Sequence, residues 1–94
     1  VTSDEPGLYL EGKFGIRTEN LMLCVKDVKN EFGQFMKFEN LTWVPIDLDT
    51  IDVSLMEARD RELLNAYHKG GFKKLSPYMT EEEKAWLTEA TRAI

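Results

Sequence analysis

Ninety-four residues with 43% apolar and 31% charged content describe one ordinary globular domain, or a piece of one, and exclude a disordered tail. The net charge of −5, from 17 acidic and 12 basic residues, gives no basic footprint for nucleic acid. No apolar run approaches the roughly 20 residues needed to span a bilayer, so no membrane partner is expected.

In chain order, the first half reads as antiparallel strands. Gly7-Leu8-Tyr9-Leu10 is short and apolar and ends at Glu11-Gly12-Lys13. Phe14 to Lys26 is the longest strand candidate, and its neighbours Leu23 and Val25 mark Cys24, the single cysteine, as a buried core thiol of a reducing, cytoplasmic compartment. Lys29-Asn30-Glu31-Phe32-Gly33 carries turn chemistry, with Asn and Gly available for positive φ. Phe35 to Val44 is a further strand, with a bulge expected at Asn40 and an end at Pro45.

The second half reads as helical. Asp52 or Ser54 is the expected N-cap. Leu55, Arg59, Leu63, Ala66 and Tyr67 recur at spacings of three and four and mark one helix face. Gly70-Gly71 weakens or ends that helix, and Ser76-Pro77 stops any continuation. Thr80-Glu81-Glu82-Glu83 is a capping box that starts a last helix, whose buried stripe is Trp86, Leu87 and Ala90. The seam falls at position 50: residues 1–50 are the sheet part and 51–94 a small helical region. The fold class is α+β. Val1-Thr2-Ser3 runs straight into Asp4-Glu5-Pro6, and the chain is read as the C-terminal portion of a longer polypeptide.

Two glutamates stand out. Pro6 fixes its own φ and biases Glu5 toward extended geometry, while Gly7 permits close backbone approach, so Glu5 is held in one direction. Arg17 and Glu19 lie two apart and share a strand face, where a guanidinium lowers and orients a carboxylate. A carboxylate in apolar surroundings must be paired or must coordinate a metal. Taken singly, these segments also fit a plain turn and a plain salt bridge.

Together and in this order, Thr-Ser-Asp-Glu-Pro-Gly-Leu-Tyr and Gly15-Ile16-Arg17-Thr18-Glu19-Asn20 resemble the C-terminal end of the pita-bread metallopeptidases of family M24, most closely the Xaa-Pro aminopeptidases (aminopeptidase P). Phe38 to Asp47 with Ile51-Asp52, Leu63 to His68, and Ala85-Trp86-Leu87 resemble that family's linker and C-terminal helices. The resemblance implies a C-terminal portion of a pita-bread fold: antiparallel strands carrying two metal ligands, then two helices. It implies a pair of divalent ions in the full-length protein, Mn²⁺ with Co²⁺ or Zn²⁺ as alternatives, held by side chains in the chain order Asp, Asp, His, Glu, Glu. Glu5 matches the fourth ligand and Glu19 the fifth, which bridges both ions; Arg17 and Tyr9 match supporting groups. The implied reaction releases the N-terminal residue preceding proline.

The two aspartates and the histidine of that set precede both glutamates in the family. Here the single histidine, His68, follows them and reads as a packing or surface residue, so no catalytic residue is expected in this chain alone and no metal bound by it alone. Partners expected from the resemblance are the rest of the parent polypeptide, a proline-containing peptide and a second copy in a homodimer, with exposed Trp86 or Tyr78 suited to that surface and packing of Trp86 the favoured alternative. Two other readings stand beside the main one: a non-catalytic pita-bread relative used for binding or dimerisation, and a prolidase-type dipeptidase.

Overall fold

The computed structural model describes all residues 1–94. Five strands, β1 (Thr2–Asp4), β2 (Gly7–Leu10), β3 (Phe14–Arg17), β4 (Asn20–Asn30) and β5 (Gly33–Asn40), precede two helices, α1 (Ala58–Leu75) and α2 (Glu81–Ala90). This is the expected α+β order. The chain divides into two compact units, Val1–Thr42 and Trp43–Ile94. The sequence seam at position 50 lies inside the second unit, after a segment that hydrogen-bonds to α1.

All strand pairs in the first unit are antiparallel. The run from Phe14 to Lys26 is not one strand: it breaks at Thr18-Glu19 into β3 and β4. The seven pairs Thr2↔Met22 to Asp4↔Asn20 and Gly7↔Arg17 to Leu10↔Phe14 follow a single register across that break. The Thr18 amide donates to the Pro6 carbonyl at 3.1 Å and preserves the register between them. Gly12, with φ of 69°, closes the turn between β2 and β3.

The bulge lies between Lys26 and Lys29 rather than at Asn40. There the Gln34 side-chain amide donates to the Asp27 and Phe35 carbonyls at 2.9 and 2.8 Å, which satisfies backbone groups that the irregular ladder leaves unpaired. β5 stops at Asn40, four residues before Val44. The Leu41 amide still donates to the Leu21 carbonyl at 2.8 Å, and side chains then join in: the Leu21 amide donates to Thr42 Oγ1 at 2.8 Å, and Asn40 Nδ2 donates to the Thr42 carbonyl.

Cys24 is exposed, not buried. It lies opposite Phe38 and on the same face as Met36, themselves 58% and 52% exposed, so nothing in this chain covers that face. The even-numbered face of the β2–β3 hairpin is equally open, with Leu8, Leu10, Phe14 and Ile16 all exposed.

In the second unit, Asp52 caps a 3₁₀ turn at Val53–Leu55, and α1 itself starts at Glu57 through a capping box with Asp60. Gly70-Gly71 does not interrupt α1. Both glycines lie under Trp43, where a Cβ on Gly70 would meet the indole at 2.9 Å and one on Gly71 the Trp43 carbonyl at 3.2 Å. Glycine is used there for close approach, and the packing offsets its helix penalty of about 1 kcal/mol.

Of the expected face Tyr67 turns inward, but the packed face of α1 centres on His68. Leu63 and Ala66 are exposed, while Leu64, Tyr67, His68, Gly71 and Leu75 turn inward. α1 ends before Ser76-Pro77, and the Thr80–Glu83 capping box starts α2 as read from the sequence. On α2, Leu87 is fully buried and Ala90 half-buried, but Trp86 is 61% exposed. No helix is long and apolar enough to cross a membrane.

Candidate metal-ligand site on the interrupted hairpin

The pairs Asp4↔Asn20 and Gly7↔Arg17 bracket the interruption from both sides. Because the register is continuous, position 5 falls opposite position 19. Directly opposed residues of an antiparallel pair project to one face. Pro6 supplies no amide to the ladder, which is why the hairpin opens here, and its carbonyl is the acceptor that Thr18 uses. The break therefore sets two carboxylates across from each other, released from regular pairing but flanked by paired strands.

Arg17 and Tyr9 belong to the same cluster. Arg17 Nη2 lies 3.3 Å from Glu19 Oε2, with both side chains roughly half exposed. The charges of Tyr9, first, and of Glu19 and Glu5, together with a side-chain hydrogen bond to Tyr9, hold the Arg17 pKa above its ordinary value. The phenol is uncharged near neutral pH, so the standing ion pair of the guanidinium is the one to Glu19. Tyr9 pairs with Gly15, and its ring lies over both Gly15 and Gly7: a Cβ at either would come within 2.5 or 2.8 Å of it. The two glycines make the space in which the phenol reaches Arg17. Sequence reasoning singled out all four residues; it did not see that Gly7 and Gly15 cradle the ring.

The donor set consists of hard carboxylate oxygens, suited to Mg²⁺, Mn²⁺ or Ca²⁺ more than to soft ions. It is a partial set. The chain contains no group of three or more His, Cys, Asp or Glu placed to hold a metal ion. His68 takes no part: it is 1% exposed within the helical unit, and its Nε2 accepts from the Ile46 amide at 2.9 Å. The residues present fit two positions of a larger hard-cation site.

The architecture and these motifs define a class. The family description "C-terminal region of peptidase_M24" matches residues 34–94, and the chain belongs to that family. Among its relatives, Aminopeptidase P1 of Arabidopsis thaliana is 37% identical over 98 residues, covering 100% of this chain and 15% of that protein. The probable Xaa-Pro aminopeptidase P of Laccaria bicolor is 42% identical over 93 residues, covering 93% of this chain and 14% of that protein. The crystal structure of X-prolyl aminopeptidase from Caenorhabditis elegans, a cytosolic enzyme with a di-nuclear active site, superposes with a TM-score of 0.80 at 34% identity over 98% of this chain and 16% of that one. The chain therefore spans about 15% of the length of the curated relatives it matches.

Proposed function

We propose that this chain is the C-terminal part of a dinuclear-metal aminopeptidase that releases the N-terminal residue preceding proline. The observation that carries the reading is the opposition of Glu5 and Glu19 at one register position, with Arg17 and Tyr9 joined to them. The names of the relatives favour the aminopeptidase over a prolidase-type dipeptidase. The retained pair of carboxylates, supported by a guanidinium and a glycine-cradled phenol, favours an enzyme over a binding module.

In this reading the strand unit belongs to the catalytic domain and the helical unit is an accessory region. Glu5 would hold one ion, and Glu19 would serve as a ligand to both. Arg17 fixes the orientation of the Glu19 carboxylate, and Tyr9 fixes Arg17. Two divalent ions, Mn²⁺ with Co²⁺ or Zn²⁺ as alternatives, would supply Lewis-acid activation of the scissile carbonyl and of water. The remaining ligands come from the parent polypeptide, which also covers the open apolar faces of the strands. The substrate is a proline-containing peptide, and the setting is the cytoplasm. A second copy docks on the helical unit, where Trp86 and Tyr78 are 61% and 89% exposed and aromatics of this kind anchor interfaces.

The test is Glu19→Ala in the full-length protein. Loss of metal stoichiometry by elemental analysis, together with loss of Xaa-Pro cleavage, is expected; retention of both overturns the bridging role.

A further inference from the structure

His68 is the only histidine of the chain and one of its two fully buried side chains. It lies on α1 in register with residues 43–50, the segment that leads into the helices. That segment is fastened to α1 at successive points. Trp43 stacks on Tyr67 with ring centroids 5.6 Å apart and planes 13° from parallel. Tyr67 Oη donates to the Val44 carbonyl at 2.6 Å. Two residues on, the Ile46 amide donates to His68 Nε2 at 2.9 Å.

The last bond fixes the tautomer. Nε2 accepts, so the neutral ring carries its proton on Nδ1, and Nδ1 is buried without a hydrogen-bond partner. A second proton must therefore enter at Nε2, the atom that faces the Ile46 N–H. Two donors would then confront each other, and a cation would sit in a site with no acceptor at either ring nitrogen. Both effects oppose the docked segment, because an unpaired buried charge is far more costly than an unpaired neutral group.

We propose that His68 is an acid-sensitive latch, holding residues 43–50 against α1 while neutral and releasing them when protonated. Burial alone pushes the His68 pKa below its ordinary 6.5. The ionisable neighbours do not set it. Tyr67 is in ring contact at 5.6 Å. Asp47 Oδ1 is committed to the Asp49 amide at 3.0 Å, and Asp49 pairs with Arg92 at 3.4 Å. The Lys74 ammonium lies over Trp43, 5.2 Å from the ring centroid. With a depressed folded value, the stabilising contribution of neutral His68 is complete above about pH 6.5 and is lost as pH falls through the lower folded value.

The experiment is an NMR pH titration of the 94-residue chain, in which the single imidazole gives one unambiguous signal set. The imidazole is expected to titrate below pH 6.5, with the Ile46 amide and the Trp43 indole shifting at the same midpoint. An imidazole midpoint at or above 6.5 overturns the proposal, as do Ile46 and Trp43 signals that do not follow it. His68→Gln retains an acceptor without a titrating group and is expected to flatten the Ile46 and Trp43 response between about pH 5 and 8. A response that survives this substitution belongs to other groups and also overturns the latch. If the variant does not fold, the comparison of midpoints in the unsubstituted chain decides alone.

Discussion

Trp43 occupies the space that a side chain on Gly70 would need: a Cβ built there meets the indole Cζ3 at 2.9 Å. The ring cannot easily retreat, since its other contacts are the Tyr67 ring and the Lys74 ammonium. Gly70→Ala would gain about 1 kcal/mol of helix propensity and lose about 1–3 kcal/mol to overpacking. The expected result is a net destabilisation on the order of 1 kcal/mol, seen as a lower urea midpoint with an unchanged slope. A more stable variant would show that the indole is free to move.

Leu87 is the one fully buried aliphatic side chain of the helical unit. Leu87→Ala is expected to cost about 2–5 kcal/mol, a large share of what so small a core supplies. The measurement is the loss of far-UV helical signal with temperature. Trp86→Ala in the same turn should cost far less in folding, because Trp86 is 61% exposed.

The start of α2 depends on a reciprocal pair: Thr80 Oγ1 accepts from the Glu83 amide at 3.3 Å, and Glu83 Oε2 accepts from the Thr80 amide at 2.7 Å. Thr80→Ala is expected to destabilise by about 1 kcal/mol, and amide exchange in the first turn of α2 should rise while α1 is unaffected.

At the carboxylate pair, Tyr9→Phe removes the hydroxyl that holds Arg17 but leaves the ring between its glycines. In the full-length protein, metal affinity should fall about 10–100-fold with the fold intact by circular dichroism. Gly15→Ala should produce the same loss by displacing the ring. Unchanged metal affinity in both variants would remove Tyr9 from the site.

The isolated 94-residue chain should show no metal-dependent cleavage of Xaa-Pro peptides, because it offers no set of three metal-binding side chains. Turnover that survives purification and responds to Mn²⁺ would contradict this.

Local chemistry carried much of this organisation in the sequence. The Thr80–Glu83 box, the stop at Ser76-Pro77 and the antiparallel strands ahead of the helices follow from capping hydroxyls, missing amides and apolar runs. The features that escaped depend on partners distant in sequence. Nothing local distinguishes Gly70-Gly71 as a landing site for Trp43 from a helix terminator. Trp43 and Val44 look like the end of a strand, yet their stacking and hydrogen bonds are with Tyr67. The stripe through Leu63 and Ala66 misses the packed face because a histidine and two glycines share that face with Leu64 and Leu75 and break the apolar repeat. Cys24 was read from its apolar neighbours, but the face it shares with Phe38 has no cover in this chain. At the candidate site, Glu5, Glu19, Arg17 and Tyr9 were all visible as residues. Their meeting was not, because it rests on the common register of β1–β4 and β2–β3.

That common register gives the small turn at Glu11-Gly12-Lys13 an influence beyond its size. The turn is closed by the Lys13 amide on the Leu10 carbonyl at 3.0 Å, with Gly12 in the left-handed region. Removing one residue from it would slide one arm of the ribbon against the other and turn alternate side chains to the opposite side. Glu5 would then meet a neighbour of Glu19 instead of Glu19 itself. The length of a solvent-facing loop is in this way the gauge that decides which two acids stand opposite each other across the ribbon.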